Sequence, residues 1–126
     1  GFSVGRENTR DFNYVEDTCR GFLAIAKSDE VVGEVINIGS NYEISIKDTF
    51  EMIKKVMNSE VQFVVDPNRI RPGKSEVQRL WCDNTKINNI TGFKAQVNIE
   101  EGLRRTAEWF TNPENLKNYK TNIYNV

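Results

Sequence analysis

Two arginine-bearing segments, far apart in the chain, carry the residue types best suited to binding chemistry. The first runs Thr9-Arg10-Asp11-Phe12-Asn13-Tyr14-Val15-Glu16-Asp17, and the second runs Arg69-Ile70-Arg71-Pro72-Gly73-Lys74-Ser75-Glu76-Val77. Each sets an arginine at the edge of an expected regular element, beside a turn or a helix start. A guanidinium offers planar, paired donors, so two fixed forks can grip a diphosphate. On pattern alone the plainer reading stays open: Arg-Pro-Gly is a common surface turn, and Arg10 could be a solvated side chain.

The sequence contains no histidine, which removes His-based triads, His general bases and His-ligated metals. Any chemistry would have to run on Asp, Glu, Lys, Tyr or Cys. Cys19 and Cys82 are far apart and belong to no ligand motif. They read as reduced packing residues, which fits a cytoplasmic compartment. Gly73-Lys74-Ser75 resembles the end of a phosphate-binding P-loop. The required first glycine would fall at Asn68, and Pro72 lies where backbone N–H groups should cradle phosphate, so that reading is rejected.

The elements that must position these residues alternate between helix and strand. Phe12, Tyr14 and Val15 suggest a short extended segment. From about Asp17 a helix is expected, with Cys19, Phe22, Leu23 and Ala26 as one buried face. Asp17 in its first turn suits the positive end of the helix dipole. Val35-Ile36-Asn37-Ile38 reads as a central, parallel strand covered on both faces. Ser45 is the expected N-cap of a helix running to about Asn58, with Ile46, Phe50, Ile53 and Met57 as its apolar stripe. Val61 to Val65 reads as a strand closed by Asp66-Pro67, and 68–74 as a loop. Val77 to Trp81 reads as extended, with Asp83 as N-cap and Gly92 as C-cap of a short helix. Asn98 opens the last helix, with Leu103, Ala107 and Phe110 inward and Asn112-Pro113 as its stop. Trp81 and Trp109 are expected to pack, each with one polar contact. Residues 111–126 read as a tail or a short docking helix. The alternation of elements argues an α/β class.

With 126 residues and a net charge of −1, the chain has room for one domain with a modest core and lacks the basic excess of a nucleic-acid binder. No apolar run approaches the roughly 20 residues of a membrane span, and residues 1–6 lack a signal-peptide core. The chain does not begin with methionine, which suggests a processed or excised piece.

In order and spacing, Arg10 to Asp17, Ile36-Asn37-Ile38-Gly39-Ser40-Asn41, Arg71-Pro72-Gly73, Asp83-Asn84-Thr85-Lys86 and Thr91-Gly92-Phe93 resemble the C-terminal part of an extended short-chain dehydrogenase/reductase of the NAD-dependent epimerase/dehydratase family. The series looks most like the nucleotide-sugar 4,6-dehydratases of the legionaminic acid pathway, acting on UDP- or GDP-N-acetylglucosamine. It spans about residues 9 to 110. It departs at the start, where the expected preceding strand and loop are not recognisable in residues 1–8.

The resemblance implies an α/β fold lacking most of the Rossmann domain. Residues 1–110 would form the nucleotide-sugar-binding region, and a strand at about 34–39 would belong to the Rossmann sheet. Arg10 and Arg71 would be diphosphate ligands, with weaker assignments of Asn41 and Glu76 to the substrate. NAD would be the cofactor of the full-length enzyme, a homodimer. Relatives oxidise the sugar at C4. A 4,6-dehydratase then removes water across C5–C6 and returns hydride to C6, whereas a 4-epimerase returns it to C4.

Neither the family's Gly-x-x-Gly-x-x-Gly turn nor its Tyr-x-x-x-Lys pair occurs in this sequence. The chain alone is therefore expected to be inactive, with no catalytic residue, and to self-associate over the surfaces that the missing domain would cover. A freestanding binding or assembly module remains the alternative of a different class.

Overall fold

The computed structural model describes residues 8–62, 64 and 77–117. The calls on Arg71, Glu76, Asp66-Pro67 and the 68–74 loop lie outside these residues. So do residues 63 and 65 of the expected 61–65 strand, of which 61, 62 and 64 carry no strand, and residues 118–126 of the tail.

A small β-structure lies at the centre of the site region. Strand β1 (Thr9–Arg10) pairs antiparallel with β2 (Ile44–Ser45), Thr9 opposite Ser45 and Arg10 opposite Ile44. On its other side Thr9 makes a parallel bridge to Arg79. The Thr9 N–H donates to Gln78 O at 2.9 Å, and Leu80 N–H donates to Thr9 O at 3.1 Å. The segment after Glu76 therefore runs directly beside β1.

Helix α1 (Val15–Ala26) starts two residues earlier than expected and docks by an unexpected face. Its buried residues are Asp17 and Gly21. The expected inward residues Phe22 and Leu23 are 63% and 58% exposed, and Cys19 is exposed too. The cause is chemical. The Asp17 carboxylate, 1% exposed, accepts the N–H groups of Gln96 and Val97 at 2.9 Å each, and two bonds from Arg20. Burial pushes its pKa up, but the Gln96 N–H, Arg20 and the Val97 N–H outweigh that and hold it below the usual 3.8. Gly21 lets Ile38 approach: a Cβ there would sit 2.7 Å from Ile38 Cγ2.

A 3-10 turn (Asp29–Val31) follows, with Val31 buried. Residues 34–43 then carry no strand, contrary to expectation. Side chains satisfy several of their backbone groups: Lys86 Nζ donates to Val35 O, Asn13 Nδ2 to Ile38 O and Asn84 Nδ2 to Gly39 O. A parallel strand needs neighbours, and among the described residues none lies alongside. Val35 is 83% exposed.

The remaining helices end where their caps dictate. Helix α2 (Ile46–Val56) begins at Ser45, whose Oγ accepts from Asp48 N–H at 3.0 Å. Helix α3 (Thr85–Thr91) follows an Asp83 carboxylate that accepts from Thr85 N–H, with Asn84 at the N-cap position itself. It stops at Gly92, whose φ of 72° is the left-handed geometry glycine permits. Helix α4 (Ile99–Thr111) begins at Asn98, which accepts from Glu101 N–H at 2.9 Å. Pro113 opens a one-turn α5 (Pro113–Leu116) after α4 ends. The buried apolar core is Val31, Ile44, Ile87 and Phe93. Phe110 and the two tryptophans do not join it. Phe110 and Trp109 are each 44% exposed and meet edge-to-face, and Trp81 is 52% exposed.

Candidate functional site

Arg10 sits half-buried on β1, opposite Ile44 of β2, and its neighbour Thr9 bonds to the 78–80 segment on the other side. Its Nη1 donates to Thr9 O at 2.7 Å. Beside it lies an ion pair that no local pattern reveals. Arg79 donates from Nε and Nη2 to the two oxygens of Glu43, 2.7 Å each, and the Thr9 hydroxyl also donates to Glu43. Arg79, then Thr9, hold the Glu43 carboxyl below the usual 4.5. The Arg79 guanidinium also lies 4.8 Å from the Trp81 ring centroid. Glu43 is thereby neutralised in place, so it does not set an uncompensated negative charge against an anion arriving at Arg10.

Asn41 adopts φ 60°, a left-handed conformation that asparagine tolerates better than most residues. Its N–H donates to Asp11 Oδ2 at 2.9 Å. Asp11 Oδ1 accepts from Ser40 N–H at 3.1 Å and from the Ser40 hydroxyl. Cys82 N–H donates to Asp11 Oδ2 at 3.3 Å. Arg10 and Asn41 therefore belong to segments joined through the residue that follows Arg10. Arg71 and Glu76 lie outside the described residues, but residues 77–80, which follow them directly, are hydrogen-bonded to Thr9. Asp11, Glu43 and Arg79 were not picked out for a role by sequence reasoning. Asp11 lay inside a quoted motif without a task. Glu43 and Arg79 are 36 positions apart, a separation at which no periodicity operates.

Two other features separate themselves from this site. A cleft of about 440 Å³ between α2 and α4 is lined by Phe12, Tyr14, Ile46, Phe50, Ile53 and Leu103, among others, with no charged side chain among its described lining residues to meet a phosphate. The Cys82 thiol is pushed above the usual 9.0 by burial first and then by the Asp11 and Asp83 carboxylates, so it makes a poor nucleophile. Among the described residues, no cluster of three His, Cys, Asp or Glu could hold a metal. None of the described helices is long and apolar enough to cross a membrane.

The residues present do not fit a dinucleotide. The chain has neither the glycine-rich turn nor the Tyr-x-x-x-Lys pair. Its described strands form one two-stranded antiparallel ribbon rather than the parallel sheet across which a dinucleotide lies. No chemical step is therefore routed through such a group here.

Comparison with known proteins places this arrangement. A UDP-N-acetyl-alpha-D-glucosaminuronate decarboxylase of Bacillus cytotoxicus is 35% identical over 111 residues, covering 86% of this chain and 34% of the relative. The human dTDP-D-glucose 4,6-dehydratase is 33% identical over 117 residues, 89% of this chain and 32% of that protein. Among solved structures, an epimerase from Methanothermobacter thermautotrophicus matches with a TM-score of 0.76 at 34% identity, over 85% of this chain and 31% of that one. The UDP-glucose 4-epimerase of Thermotoga maritima, solved with UDP-glucose, matches with a TM-score of 0.72 at 30% identity, over 83% of this chain and 32% of that one. The chain thus spans about a third of the length of the curated relatives it matches. Residues 3–106 match the family described as GDP-mannose 4,6 dehydratase, and the chain belongs to that family, within the extended short-chain dehydrogenase/reductases.

Proposed function

We propose that this chain is the nucleotide-sugar-binding portion of an NAD-dependent nucleotide-sugar 4,6-dehydratase, with Arg10 and Arg71 gripping the substrate diphosphate. The observation that carries the reading is the pairing of Thr9, next to Arg10, with the segment that emerges from the Arg71–Glu76 stretch. A guanidinium fork suits a bidentate diphosphate ligand, and the residues hydrogen-bonded to Thr9 follow the Arg71–Glu76 stretch in the sequence. Asn41 and Glu76 are secondary contacts in this reading. The reaction of the whole enzyme, oxidation at C4, loss of water across C5–C6 and hydride return to C6, draws its chemical groups from outside this chain. The chain contributes binding and orientation, which lower the barrier through positioning. A cytoplasmic, homodimeric enzyme follows from the same reading.

The same reading extends to the domains. Val35 to Ile38 would gain strand partners from the parallel sheet of a cofactor domain, and that domain would cover Phe22 and Leu23. The isolated chain would instead self-associate over those surfaces. Sedimentation and dye binding test this: a monodisperse monomer that binds no hydrophobic dye would count against it.

Calorimetric titration with UDP, GDP, dTDP and the N-acetylglucosamine conjugates of UDP and GDP, alongside Arg10→Ala and Arg71→Ala, tests the clamp and names the base. Measured in the complete enzyme, binding that survives both substitutions sinks the assignment. A 4-epimerase of the same family is the second reading, favoured by the structural likeness to 4-epimerases. Product analysis decides: a 6-deoxy-4-keto sugar marks the dehydratase, an inverted C4 hydroxyl the epimerase. A module without catalysis would yield neither.

A further inference from the structure

We propose that Asp11 is a positioning residue of the diphosphate site, fixing the Arg10, Asn41 and Cys82 segments relative to one another. The inference rests on the reading of Arg10 as a diphosphate ligand and goes beyond it by assigning the group that holds the ligand segments in place.

The argument begins with saturation. A carboxylate offers about four lone-pair sites. Asp11 receives four donors: Ser40 N–H at 3.1 Å, the Ser40 hydroxyl at 2.5 Å, Asn41 N–H at 2.9 Å and Cys82 N–H at 3.3 Å. No acceptor capacity is left for a ribose hydroxyl or a cation, so Asp11 acts through other residues rather than on substrate.

The donors also have a particular arrangement. The consecutive N–H groups of Ser40 and Asn41 converge on one anion, the geometry with which backbone concavities hold phosphates. Here a carboxylate of the chain itself fills the concavity. Ser40 Oγ meanwhile accepts from Tyr42 N–H at 3.1 Å, which closes the turn. Asn41 is held at φ 60°, a left-handed conformation that persists in a non-glycine residue only when its surroundings impose it.

The segments that Asp11 joins are the ones that matter for the site. Arg10 precedes it directly. Asn41 is one of its donors. Cys82 continues the 77–81 segment that pairs with Thr9. The contact between the second and third of these is tight, because a Cβ built on Gly39 would overlap the Cβ and Sγ of Cys82. Loss of the carboxylate would release three segments together.

The test uses the complete enzyme carrying this chain, with Asp11→Asn, Asp11→Glu, Ser40→Ala and Arg10→Ala, and UDP and GDP as probes. Asp11→Asn keeps the side-chain shape but turns an NH2 toward two of the four donors. Loss of binding shared by ground and transition states predicts that nucleotide Kd and KM rise about tenfold while kcat stays within about threefold. Asp11→Glu restores part of the affinity. Amide exchange at Ser40, Asn41 and Cys82 accelerates together in Asp11→Asn.

A merely structural role would lower Tm and leave Kd unchanged well below the unfolding temperature, and that result would overturn the proposal. Should Asp11→Asn fail to fold, Ser40→Ala, which deletes one donor to Asp11 and the acceptor of the Tyr42 N–H, decides: Kd rises about fivefold if the site is held in this way, the equivalent of roughly 1 kcal/mol for one hydrogen bond, and an unchanged Kd overturns it. Arg10→Ala separates the two ideas. If it leaves Kd unchanged, the diphosphate reading fails. If it weakens binding while Asp11→Asn does not, only the positioning role fails.

Discussion

In the α2–α4 pair the apolar side chains face one another across a cleft, Ile46, Phe50 and Ile53 on one helix and Ile99 and Leu103 on the other, while the residues buried outright are Thr49 and Gly102. In α1 the inward residues are a carboxylate and a glycine, and Phe22 and Leu23 point to solvent. Both helices of the first pair and α1 have the same amphipathic pattern, so the pattern does not decide which face docks. The docking partner does. The α2 and α4 stripes meet each other, whereas α1 meets two backbone N–H groups of residues 96 and 97, which demand an acceptor. Its apolar stripe is left without cover among the described residues.

The sharpest way to break this contrast is to remove the polar anchor of α1. Asp17→Ala leaves the Gln96 and Val97 N–H groups buried without an acceptor and is expected to cost about 3 kcal/mol in urea unfolding. Asp17 also gives the contrast a pH signature. Its folded pKa is lowered, so its stabilisation is fully present above the unfolded value of 3.8 and is lost as pH falls through the folded pKa. Acid unfolding of the wild type against Asp17→Asn should show that loss in the wild type alone.

A smaller effect is expected at the glycine. Gly21→Ala forces Ile38 to move aside and should cost about 1–2 kcal/mol, and Ile38→Val in the same chain should recover part of it. The apolar face should respond in the opposite way. Phe22→Lys and Leu23→Glu should change the stability of this chain by less than about 0.5 kcal/mol, yet suppress its self-association in sedimentation. A large loss of stability would mean that the face is covered within the chain after all.

The smallest effect belongs to the α4 surface, where Arg104 and then Arg105 pull the Glu101 carboxyl down to about 2. Arg105 also spans to Glu16 of α1 at 3.5 Å. Carbon-detected titration should find Glu101 near that value, and Arg104→Ala should return it toward 4.5.

What could be read from the sequence was local. Ser45, Asn98 and Gly92 cap their helices because each cap is fixed by residues within three or four positions. The ordered series of motifs gave the family, which the comparisons bear out. The failures were non-local. Asp17 was assigned to the helix dipole, but its partners lie 79 and 80 positions away. The 35–38 run has strand composition, but strands form by pairing, and side chains of Lys86 and Asn13 took the Val35 and Ile38 carbonyls instead. In the candidate site, Arg10 and Asn41 are legible as motif members. The Asp11 hub and the Glu43–Arg79 pair were not, because they exist only once the chain has brought residues 29 to 71 positions apart into contact.

The two cysteines turn the inverted docking of α1 into a reporter. Cys19 is exposed and lies one helical turn from Phe22 and Leu23 on the same face. Cys82 is half-buried, wedged against Gly39, with its thiol held protonated at neutral pH. A maleimide should therefore mark Cys19 quickly and Cys82 slowly. The rate at Cys19 then becomes a footprint of whatever covers α1: fast in a bare monomer, and slowed by a second copy or by a cofactor domain in the same polypeptide.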